Sequence, residues 1–205
     1  MKRSSAWYLA VLLVAGCGGG SEAGEVEMAE TEMAETEAMA EMDMTDAGLA
    51  CVVMGDVEGR ASPLQELSFS YDGGEGLLCY GAPSARERVV MGELVPYGEV
   101  WRLGANEATA LHLSAAATVG GVALEAGSYS LYATPGETEW TFHVNSEYDR
   151  WGIPIDAAVQ STEVGSFMAT PSATAGMVEM MTFEQVDGAL RLSWENTQVD
   201  ISLGM

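Results

Sequence analysis

From residue 51 onward the chain is written in short runs in which apolar and polar side chains alternate, and this period of two decides what it can fold into. In "LSFSY" Leu67, Phe69 and Tyr71 share one face and the serines between them the other, which is the pattern of a half-buried strand. "GLLCYG", "ALHLS", "SYSLYAT", "EWTFHV", "MMTFEQV", "ALRLSW" and "VDISL" read the same way. Between them "YDGGEG", "VGG", "EAG", "TPGETE" and "VDG" supply turn residues. Eight or nine strands with no long helix, in about 155 residues, are enough for one core. The expected fold is all-β, an antiparallel β-sandwich or jelly-roll-like domain. Residues 150–175 carry the weakest pattern.

The first fifty residues obey other rules. Lys2 and Arg3 precede an apolar run from Ala6 to Ala15 that is too short to span a bilayer and reads as an export signal. Val14, Ala15, Gly16 and Cys17 resemble a bacterial lipobox. Lipid on Cys17 would anchor the protein to the bacterial outer membrane or cell envelope, each buried CH₂ adding about 0.8 kcal/mol. From Ser21 to Ala50 there are ten acidic residues and no basic one. Like charges at helical spacing repel, and such a segment solvates instead of burying a core. The expected organisation is a signal over 1–16, an acidic tether over 17–50 and the sandwich over 51–205. Without the signal, six arginines face 31 acidic residues, which argues against nucleic acid, and against an anionic membrane surface, as a partner of the folded part.

Cys51 and Cys79 form an even pair in an exported domain. They read as a disulfide pinning the first strand of the domain to the strand that leads into Tyr80, with two free buried thiols as the alternative that spacing leaves open. There is no CxxC or Cys/His cluster of the kind zinc needs.

Three blocks, "YGAPSARERVVMGELVPYGEVWRLGANEAT", "GGVALEAGSYSLYATPGETEWTFHVN" and "LRLSWENTQVDISL", together with "RWG", resemble the bacterial family catalogued as domain of unknown function 2911, over about Ser62 to Leu203. The resemblance implies an exported β-rich domain and no known activity. Leu103 stands where a Thr is common in that family, and the family's frequent lysines are missing, which weakens any role for a hydroxyl there or for a basic patch.

The candidate residues fall in the first block: Tyr80, Ser84, Arg86, Arg88, Trp101, Arg102, Asn106 and Glu107. A guanidinium holds a carboxylate or sugar hydroxyls in fork geometry and stacks on an aromatic ring, so one reading is a binding surface for a small molecule, glycan or protein. The other is a corner braced by an ion pair between Arg102 and Glu107 and by hydrogen bonds of Asn106, since irregular backbone beside a core must satisfy its amides. The corner reading is preferred. Trp140 and Trp194, in alternating strands, belong to the core, Tyr80 and Trp101 are more often core aromatics than sugar platforms, and Trp151 in "DRWGIP" is unassigned. His112 and His143 are expected on polar strand faces, and neither they nor Met39, Met42 and Met44 in "MAEMDM" make a case for a metal or other cofactor. No GxSxG, HExxH or P-loop occurs, although a triad of Ser84, His112 and an Asp would be recognised only by geometry. The preferred function is a non-catalytic binding or envelope-associated module. The alternative is a hydrolase or metal-handling protein using carboxylates and His in a cleft.

Overall fold

The computed structural model describes residues 49–204; Cys17, Met39, Met42, Met44 and the rest of the expected tether up to residue 48 lie outside the described residues, whereas Leu49, expected in the tether, packs with the folded domain. Ten strands among them form two antiparallel sheets. The first runs in the order β1 (Leu64–Tyr71), β2 (Gly74–Gly81), β3 (Ala105–Leu113), β6 (Gly127–Thr134), β7 (Trp140–Asn145) and β8 (Glu163–Ala169). The second runs β5 (Val122–Leu124), β4 (Ala117–Val119), β10 (Ala189–Gly204) and β9 (Ser172–Val186). One short helix, α1 (Ala157–Gln160), starts at Asp156, whose Oδ1 accepts from the Ala158 and Val159 amides.

Alternation puts one face of each sheet into a shared core. Leu78, Leu111, Leu131 and Phe142 of the first sheet and Val119, Leu192, Val199 and Ile201 of the second belong to a single cluster, and none is more than 1 % exposed. Each such side chain stabilises by about 1.5–3 kcal/mol relative to leaving it in water. The sandwich expected from the sequence is thus the fold, with more strands than the eight or nine expected.

Two departures have local causes. "ALRLSW" and "VDISL" are halves of one strand, β10, interrupted at Glu195, where φ is 54° and the register with β9 shifts on either side. An extra residue in one strand moves its side chains to the other face. Accordingly the inward residues are even-numbered before the bulge (Leu190, Leu192, Trp194) and odd-numbered after it (Val199, Ile201). The weak stretch 150–175 holds α1, β8 and the start of β9. Edge strand β8 leaves Val164 and Met168 in solvent, which blurs its alternation.

The outward face of the six-stranded sheet is partly roofed. Cys51 is disulfide-bonded to Cys79, but it lies in irregular chain ahead of β1 and not in the first strand. With Leu49 and Tyr148 it covers a small second cluster of Leu77, Cys79 and Ala110. His112 faces this side, away from the main core, yet it is buried, not solvated: Tyr148 meets it edge-on at 5.6 Å and Ser128 Oγ lies 2.7 Å from its Nδ1. Burial pushes its pKa below the ordinary value.

Candidate functional site

The segment from Ala82 to Gly104, between β2 and β3, crosses one end of the sandwich and is held by both sheets. Its backbone pairs with β9 through Ala85 N to Glu179 O and Met181 N to Pro83 O, and with β6 through Trp101 and Ala133. Two carboxylates accept from its other amides, Glu179 from Arg86 N and Glu195 from Val90 N. Val90, Met91 and Val95 plug the core below. Irregular chain is tolerated over a core when its amides are satisfied in this way.

Tight turns close this corner. A Cβ on Gly81 would come within 2.0 Å of Ala105 O, and Gly104, at φ 159°, sits where a Cβ would meet Gly81 O and Thr109 Oγ1 at 3.0 Å. Leu103 and Asn106 are also at positive φ, 56° and 62°. The turn is stabilised by Thr109 Oγ1 donating to Leu103 O and by Asn106 Nδ2 donating to Ser62 O. Leu103 is fully buried, so an apolar side chain suits the position.

These twists send Arg102 and Glu107 apart, and the ion pair expected between them does not form. Glu107 instead pairs with Arg60, whose Nη1 reaches both carboxylate oxygens at 2.8 and 2.9 Å, while Met54 N donates to Oε1 at 2.9 Å. The two side chains are only 11 % and 6 % exposed. Burial pushes the Glu107 carboxyl up, but the Met54 amide and the Arg60 fork outweigh it, so its pKa ends below the ordinary value. Arg60 also donates to Met54 O and Asp56 O and lies 5.9 Å over the exposed Trp151 ring. The brace is real, with Arg60 as its cation. Arg60 lies outside the motif block, so no spacing pointed to it.

Arg102, half-buried, donates through Nε to Gly104 O at 3.1 Å and has no carboxylate partner among the described residues. With Arg88, Leu94, Trp101 and Trp194 it lines an open cleft of about 300 Å³. Arg88 is fixed by the loop itself, donating through Nε to Ala85 O and through Nη2 to Ser84 O. Trp101 lies nearly parallel to Trp194 and edge-on to Trp140, with both centroids at 6.0 Å. No acidic side chain is on this wall, whereas two further clefts, of about 330 and 260 Å³, carry Glu75 and Glu137 and no arginine. Of the candidate residues, then, Arg88, Trp101 and Arg102 converge. Arg86 is solvent-facing, reaching Ala61 O, and Tyr80 is buried with its hydroxyl accepting from Phe183 N.

Ser84 and His112 are not brought together: Ser84 sits in the loop against β9 and His112 on the outer face beside Ser128. A different chain of polar groups crosses that outer face. Thr134 Oγ1 lies 3.3 Å from His143 Nε2, and His143 Nδ1 lies 2.8 Å from Glu163 Oε2, which also accepts from Tyr132 OH at 2.9 Å. Tyr132 and His143 are cross-strand partners stacked at 4.6 Å. Burial, then the Glu163 bond, pushes the Tyr132 hydroxyl up to about 12. The sequence held the signal for this row only as outward positions of separate strands, and the register was needed to join them.

A family model described as a protein of unknown function (DUF2911) matches residues 62–203. No curated protein and no solved structure matches the chain.

Proposed function

The chain belongs to the DUF2911 family, and on that footing we propose that it acts as an exported, lipid-anchored binding module of the bacterial cell envelope. The observation that carries the binding half is the cleft at the sandwich end, where Arg88 and Arg102 meet an aromatic wall with no carboxylate on it. The cleft's one side-chain hydroxyl, Ser62, has no His, Asp or Glu beside it on that lining to take its proton, which favours holding a ligand over transforming it. The anchoring half rests on the apolar run after Lys2 and Arg3 and on Cys17. Cell fractionation tests it: wild type should sediment with membranes and Cys17→Ser should be soluble. Soluble wild type with an unmodified N-terminus overturns the anchor.

A second reading, hydrolysis, draws on the row Thr134, His143 and Glu163, which has the order of a hydroxyl, a base and an orienting carboxylate. Thr134 Oγ1 would add to an ester carbonyl as its proton passes to His143 Nε2. That proton would leave with the alcohol when the C–O bond breaks, and water would then release the acid. It ranks second because the row lies on an outward sheet face and outside the clefts described. Turnover of p-nitrophenyl acetate that is lost in Thr134→Val would raise it to first.

A further inference from the structure

Resting on the binding reading, we propose that the Arg88/Arg102 cleft takes a small organic monoanion, a carboxylate carried on a flat or ring-shaped body. The charge follows from the donors. Arg102 is held by its Nε bond to Gly104 O and by close packing on Gly152, where a Cβ would lie 2.8 Å from Arg102 Cδ. Its Nη1 and Nη2 have no protein acceptor among the described residues, and two parallel N–H groups on one planar fork match the two oxygens of a carboxylate. Arg88 is held in the same way through Nε and Nη2. Both forks are therefore fixed before any ligand arrives, which lowers the entropic cost of binding.

The body follows from the rest of the wall. Leu94 is 40 % exposed at the rim, and Trp101, whose backbone is paired with Ala133, presents a half-buried ring held against Trp194 and Trp140. A bare inorganic anion would leave that surface unused, while a planar group would stack on it. The size and single charge follow from the volume, about 300 Å³, and from the field of the whole chain. Its net charge of −23 opposes the approach of a polyanion while two local guanidiniums still hold one carboxylate. Two sources carry such a carboxylate, a free aromatic acid and an acidic sugar.

The test uses the full chain in detergent, labelled with ¹⁵N, and follows the indole N–H signals of Trp101 and Trp194. Probes are benzoate and galacturonate, their neutral counterparts benzamide and galactose, and inorganic phosphate. The expected result is saturable shifts with a carboxylate, at least tenfold weaker binding of its neutral counterpart, and at least tenfold weaker carboxylate binding in Arg102→Gln with unchanged melting. Tighter benzoate identifies the aromatic acid and tighter galacturonate the acidic sugar, and each supports the carboxylate. Neutral probes binding as well as acids, with Arg102→Gln indifferent, would overturn the anion class and leave the binding module standing. Phosphate matching benzoate would overturn the ring-bearing body. No shift with any probe at millimolar concentration would overturn both the class and the binding reading.

Discussion

Arg60 and Arg102 flank the same short turn, Leu103 to Glu107, and have opposite surroundings. Arg60 is nearly dry and spends its donors on Glu107, Met54 O and Asp56 O. Arg102 is half-exposed, tied down at one nitrogen, and faces a cleft without acidic residues. A desolvated guanidinium requires a carboxylate, and Glu107 has only one such site to give. The difference teaches that bracing and binding need not compete for one cation: the acidic partner is consumed by Arg60, and that leaves Arg102 a donor without an acceptor.

The largest effect that can break this comparison is loss of the buried carboxylate. Glu107→Ala strands Arg60 in a dry site and should cost about 3–5 kcal/mol of unfolding free energy in urea. A loss under 1 kcal/mol would make the pair a solvated one and erase the contrast. Next comes the disulfide, which holds the 51–62 segment that delivers Arg60 and spans a separation of 28 residues. Its reduction should cost about 3–4 kcal/mol in the chain-entropy model and should weaken Arg60–Glu107 coupling as well; a lower melting temperature with unchanged coupling would show that the brace stands alone.

Acid sharpens the comparison further. The folded pKa of Glu107 is below its ordinary 4.5, so the unfolded chain takes up that proton first as pH falls. Its stabilisation is complete above about 4.5 and lost as pH falls through the folded value. His112 is also depressed, below 6.5, and its sign is the same by another route: the unfolded state protonates near 6.5 while the buried ring stays neutral, so stability declines from there downward. Melting measured from pH 8 down to about pH 2 should show both declines, with Glu107→Gln shrinking only the lower one, to which Asp200 also contributes, and His112→Asn removing only the upper. Smallest is the surface pair Arg191–Asp200, at 26 % and 47 % side-chain exposure; Arg191→Ala should leave the urea midpoint nearly unchanged, since an exposed ion pair is screened by solvent.

Much of the fold was legible because a period of two survives wherever one face is buried. It failed where it had to: at edge strand β8, whose outward Met168 mimics a core residue, and at Glu195, where a bulge splits one strand into two patterns. The corner was legible as a corner, since "VPYGEVWRLGAN" mixes turn residues with Val100 and Trp101. Its ion pair was not. Nearness in sequence favoured Arg102 for Glu107, but positive φ at Leu103 and Asn106 turns the two side chains to different neighbours, and the true partner is 47 residues away. The cleft likewise draws Trp194 from β10, a residue that alternation assigns correctly to the core without showing that it also backs a surface.

The most direct test of the central claim is a pair of double-mutant cycles by urea unfolding, Arg60→Ala with Glu107→Ala and Arg102→Gln with Glu107→Ala. The division of labour between the two arginines predicts a coupling well above about 1 kcal/mol for the first pair and, for the second, additivity within about 0.5 kcal/mol. Strong coupling between Arg102 and Glu107, with none at Arg60, would contradict it.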